Sequence, residues 1–126
     1  MGSINNFNMG GNIAPMEAEN AMTERYVVVE LGAAEGQVDL PSATSDIPFG
    51  VILETAVAGQ AVPVQIDGIC QVVANGAVAM GALVYIAATT GRVDDSDTGT
   101  AVGLALTACA AGGEIIVVDL SFKGAA

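Results

Sequence analysis

Gly50-Val51-Ile52-Leu53, Ala58-Gly59 and Val62-Pro63-Val64 recur without a gap as Gly103-Leu104-Ala105-Leu106, Ala111-Gly112 and Ile115-Ile116-Val117. The two stretches lie 53 residues apart and share Gly50/Gly103, Leu53/Leu106, Ala58/Ala111, Gly59/Gly112 and Val64/Val117. Each copy reads as strand, small-residue turn, strand. A fixed offset over several segments marks a duplicated unit. Gly59 and Gly112 are placed in the turns, where a residue without Cβ takes positive φ freely. Two such units packed together predict an all-β fold, a pseudo-symmetric small barrel or sandwich.

The neighbouring segments carry the same signals. Tyr26 to Val29 is β-branched, Val38-Asp39-Leu40 is stopped by Pro41, and Phe49 to Leu53 resumes a strand. Val62, Val64 and Ile66 alternate with Pro63, Gln65 and Asp67, the period of a half-buried strand. Pro63 has no donor, which predicts an edge or a bulge there. Gly68 marks a bulge before Ile69 to Val73, and Asn75-Gly76 is a tight-turn signal. Leu83 to Ala87, Ala101 to Leu106 and Ile115 to Leu120 complete the strands, with Thr89 to Thr100 as a polar loop. No long amphipathic helix is present in the pattern. Met1 to Arg25 is polar and lacks sustained periodicity, so it reads as an extended N-terminal arm, with Pro15 to Met22 able to form a helical turn or two. The division is therefore an arm over 1–25 and one β domain over 26–126.

Composition points the same way. The 126 residues are 52% hydrophobic but only 4% aromatic, so the apolar content is mostly Ala and Val. Such side chains suit a pleated sheet but bury little area each. Burial between copies is expected to supplement the core, which predicts a homo-oligomer. Fourteen acidic residues against three basic ones give a net charge of −11. Arg25, Arg92 and Lys123 are too few to displace counterions from phosphate, which argues against nucleic acid and anionic membrane surfaces. Met1 to Asn12 has no cationic start or apolar run and reads as no secretory signal. The uncharged run from Gly68 to Gly91 is broken by Gln71, Asn75-Gly76, Gly81 and Thr89-Thr90, and reads as two strands rather than a membrane span.

Chemistry is scarce. There is no histidine, which removes His-dependent nucleophile systems, His proton transfer and His metal ligation. Cys70 and Cys109 cannot complete a zinc site and read as small buried hydrophobes. Glu54, Asp67 and Asp119 are free to approach in the fold, but no spacing supports a carboxylate pair. Asp94-Asp95-Ser96-Asp97-Thr98-Gly99 offers Asp95 and Asp97 at alternating positions, yet the next falls on Gly99 and no closing Glu follows, so a solvated loop is the reading. The chain is expected to be no enzyme, with no catalytic, cofactor-binding or metal residues and no cofactor.

From Phe49 onward the chain resembles the small capsid decoration, or cement, proteins of tailed bacteriophages. The resemblance is carried by Gly50-Val51, Ala58 to Val64, Gly68-Ile69, Gly81 to Tyr85, Gly91-Arg92-Val93, Val102 to Leu106 and Ala110 to Ile115. The first copy reads Gly59-Gln60 where the second reads Gly112-Gly113-Glu114, a departure from the family's turn. The resemblance implies a β-barrel or β-tulip-like domain, a homotrimer, and attachment to the major capsid protein on the outer face of the head. The expected function is a virion structural protein, made in the host cytoplasm, that stabilises a phage capsid. The alternatives are another viral or cell-surface structural β-module, such as a tail or baseplate component, or a carbohydrate-binding module. The last draws on few rings: Phe7, Tyr26, Phe49, Tyr85 and Phe122.

Overall fold

The computed structural model describes residues 11–43, 46–87, 89–97 and 99–123. The chain is all-β, as its pattern predicts. Strands β1 (Ile13–Ala18), β2 (Val28–Leu31), β3 (Gln37–Asp39), β4 (Gly50–Ile52) and β5 (Ala61–Gln65) close into a barrel in the order β1-β3-β2-β4-β5. Strands β6 (Ile69–Val73), β7 (Leu83–Ile86), β8 (Val93–Asp94), β9 (Ala101–Ala105) and β10 (Ile115–Asp119) form an open sheet in the order β6-β10-β9-β7-β8. A single 3-10 turn, Leu120–Phe122, follows, its start capped by the Asp119 carboxylate, which accepts from the Ser121 backbone N–H.

The duplication reaches further than strand, turn, strand. Antiparallel β1/β5 is matched by β6/β10, β2/β4 by β7/β9, and β2/β3 by β7/β8. Even the parallel β1/β3 pairing that closes the barrel has a remnant, one parallel bridge between Ala74 and Val93. The two units are thus copies, with the first closed and the second held open beside it.

Register corrects the gapless alignment by one residue. Ile52 pairs with Val64, but Ala105 pairs with Val118. The second turn is therefore one residue longer, and the positive-φ glycine matching Gly59 (φ 84°) is Gly113 (φ 89°), not Gly112. Both donate their N–H back to the end of their unit's first strand, Gly59 to Ala18 O and Gly113 to Ala74 O.

Four further expectations change. Ile13–Ala18, assigned to an arm or a short helix, is a barrel strand: Ala14, Met16 and Ala18 turn inward while Ile13, Pro15 and Glu17 face out. Two of its three outer residues, Ile13 and Pro15, are apolar, so the two-residue period is masked. The remainder of the expected arm, Met1 to Gly10, lies outside the described residues. Pro63 is not on an edge: β5 lies between β1 and β4, and Pro63 faces Pro15. Neither has an N–H, so they meet at a pair that exchanges no ladder bonds. The polar loop from Thr89 to Thr100 contains β8, and Asn75-Gly76 is a bend, since β6 pairs with β10 rather than β7.

Each unit has its own buried cluster, and the joint between them is apolar. Val28 and Val51 belong to the barrel by pairing, yet they are fully buried in the second unit's cluster with Val84, Ile86 and Leu120. Backbone bonds cross the same joint, from Val28 N–H to Gly91 O (2.7 Å) and from Val73 N–H to Tyr26 O (2.8 Å).

Candidate interaction surface

The barrel is open where the end of β2 meets the segments just before β4 and just after β5. A groove of about 660 Å³ lies there, floored by Leu31, Ile47, Pro48, Phe49 and Ile66. Leu31 is 59% exposed and Ile47 78% exposed, although both are large aliphatics. Side chains of that kind left together in solvent mark a surface that something else covers.

The rim is built by short-range polar contacts. The Asp46 carboxylate accepts from the N–H groups of Ser42 (2.9 Å) and Ala43 (3.0 Å) and from the Ser42 hydroxyl, which folds the loop back and leaves Ile47 outward. Glu30 stands beside it on β2. Burial, then a hydrogen bond to Asp46 and the charges of Asp46, Asp39 and Glu19, push the Glu30 carboxyl up to about 7. Asp46 moves the other way, held below the usual carboxylate range first by that same bond and then by the Ala43 N–H. The protonated Glu30 therefore donates to ionised Asp46 near neutrality.

On the opposite rim the Lys123 ammonium donates to Phe49 O and Ile66 O, each at 2.6 Å, tying the chain's end across the barrel mouth. Burial lowers its pKa, and the charge of Asp67 partly offsets this. Asp67 accepts from the backbone N–H of Asn12 (2.7 Å) and from its side-chain amide (2.9 Å), which hold it below its ordinary value.

The residues singled out for chemistry lie apart. Glu54 is exposed in the loop after β4, Asp67 binds Asn12, and Asp119 caps the 3-10 turn. Asp94 accepts from Ser96 N–H at 3.1 Å, a local turn. Among the described residues no three His, Cys, Asp or Glu side chains gather as metal ligands. The cations are also dispersed: Arg92 makes a two-pronged pair with Glu24, both bonds 2.9 Å, and Arg25 lies 4.9 Å from the Tyr26 ring centroid.

Cys70 is fully buried and its thiol is pushed up to about 12 by burial, whereas Cys109 is half-buried with its Sγ donating to Gly76 O. Thiolate is the reactive form. An aromatic disulfide reagent is therefore expected to titrate one thiol per folded chain and two after denaturation. Two fast thiols in the native protein would contradict the burial of Cys70.

Sequence reasoning missed this groove. The signals available were Ile47 inside a polar loop and Leu31 running past the end of a strand, both of which a loop-and-strand reading absorbs.

A family model described as phage cement protein matches residues 10–120. No curated protein matches in sequence. Among solved structures, the N base of the head fiber gp8.5 in bacteriophage phi29 has a similar fold, with a TM-score of 0.69 at 16% identity, covering 92% of this chain and 98% of that one.

Proposed function

The chain belongs to the phage cement protein family, and on that premise we propose that it binds the outer surface of a phage capsid as a homotrimer and stabilises it through contacts with the major capsid protein. At the coarser level it is a virion structural β-protein and not an enzyme. The observation that carries the finer reading is the family match across both β units, 10–120. The exposed apolar groove supports it, because large aliphatic side chains left together in solvent offer a surface for assembly.

A protein that binds the assembled shell but not its separated subunits stabilises the shell by mass action, by roughly 2.7 kcal/mol per site at a hundred-fold excess over Kd. A trimer bridging adjacent subunits adds effective concentration, since one bound leg brings the next to its site. Adding the purified protein to capsids that lack it is expected to raise the shell's melting temperature. Unchanged melting, with no protein on the shell, would refute the reading.

The fold shared with the head-fiber base favours a second reading, in which this chain is the seat of a longer appendage on the head. Cryo-electron microscopy of the virion separates the two. A low protrusion matches cement, and density continuing outward from the β units matches a fiber base.

A further inference from the structure

The two units of the molecule are related by the duplication, and only one of the two equivalent sockets is filled. Leu31 pairs with Val38 as Ile86 pairs with Val93, Ile66 N–H bonds to Asn12 O as Leu120 N–H bonds to Gly68 O, and Phe49 precedes Gly50 as Val102 precedes Gly103. In the second unit Ile86, Val102 and Leu120 are at most 2% exposed, because the barrel's Val28 and Val51 close over that cluster. In the first unit the same positions form the open groove, and Leu31 is 59% exposed.

The matching plug is also present a second time. Val28 pairs with Val51 on the barrel, and at the equivalent register Leu83 pairs with Leu104 on the second unit. Leu83 and Leu104 are only partly buried, and neither belongs to the second unit's core cluster. Each chain thus carries one open socket and one unused plug.

We propose that the barrel groove of one chain is filled by the Leu83–Leu104 face of a second copy, repeating between chains the joint that already links the two units within a chain. Such a contact is head-to-tail, so it closes into a ring or runs on as a filament according to the rotation per step. A second copy is the occupant because the internal joint is the template for the fit, and both halves of that fit are on every copy. The inference deepens the proposed function and rests on its homo-oligomer.

Charge sets how this association responds to solution. Copies of net charge −11 repel, so added salt strengthens the contact. Glu30 feels the charges of Asp46, Asp39 and Glu19, and Asp67 and Lys123 also line the groove. Covering this rim with leucine favours the protonated carboxyl, so association takes up a proton and is tighter at pH 6 than at pH 8. A basic segment from another protein in the same groove would show the opposite sign for both.

Sedimentation velocity on the full chain tests the idea. Wild type is expected to form an oligomer, while Leu31→Asp (socket spoiled, at an exposed position that tolerates the change) and Leu104→Asp (plug spoiled) each sediment as monomers. Mixing the two variants restores one intact joint, so the mixture is expected to form dimers and nothing larger. Leu83→Gln serves as a milder plug variant should Leu104→Asp unfold. An oligomer of unchanged size in the socket and plug variants, or a mixture that stays monomeric, overturns this joint and leaves the homo-oligomer standing. A wild-type monomer at every concentration overturns both, and weakening at pH 6 or in salt overturns the self-contact.

Discussion

Replacing Gly103 with alanine is expected to cost about 3 kcal/mol of folding stability, and Gly50→Ala about as much. A Cβ on Gly103 would sit 2.5 Å from both Asp119 O and Val118 Cγ1, and one on Gly50 would sit 2.4 Å from Gln65 O. Neither glycine has positive φ, so the demand is for space and not for an unusual backbone. In both units the crowding atom is a backbone carbonyl on the next strand, which cannot rotate aside as a side chain can. Relief requires β4 to move from β5, or β9 from β10, and those pairings hold each unit together. Gly76→Ala, with nothing within 4 Å, is the control and should be neutral within about 0.5 kcal/mol. Urea unfolding measures all three. A stability of Gly103→Ala equal to wild type would show that the strands are not so closely apposed.

Ile86→Ala is expected to lose about 3 kcal/mol, whereas Leu31→Ala, at the equivalent position of the other unit, should change the isolated chain's stability by less than about 0.5 kcal/mol. Ile86 is fully buried beneath Val28 and Val51, so truncation removes apolar area from the core and leaves a cavity at the joint. Leu31 has no such cover. The comparison is made at protein concentrations low enough to keep the chain monomeric, since association would stabilise Leu31 too. Equal losses at both positions would mean that the barrel end is already closed within one chain.

The strands of the second unit were the most legible part of the sequence. Ile69 to Val73 and Ile115 to Leu120 combine β-branched residues with bounding glycines, and they appear as β6 and β10 with little change. The first strand was hidden because Ile13 and Pro15 point outward, so polarity and orientation part company there. Strand β8 is two residues long within a stretch of aspartates, and its pairing with β7 is a tertiary matter that local propensity does not register. The duplication was visible at Gly50 and Gly103 because close strand approach forbids any larger residue. It faded elsewhere, since Val, Leu, Ile and Met substitute for one another in the cores and the turns differ in length. The groove was illegible for a related reason: Leu31 and Ile86 look alike in sequence, and only the arrangement of units decides which one is covered.

Completion of the barrel by residue 65 has a consequence for synthesis on the ribosome. All five of its strands leave the exit tunnel before the second unit has emerged from it, so the barrel is able to close first. Until β6 to β10 follow, Val28 and Val51 remain a bare aliphatic face on a nascent chain. A translational pause once β5 has emerged would lengthen that exposure and invite aggregation or chaperone capture, while rapid passage through the second unit would seal it.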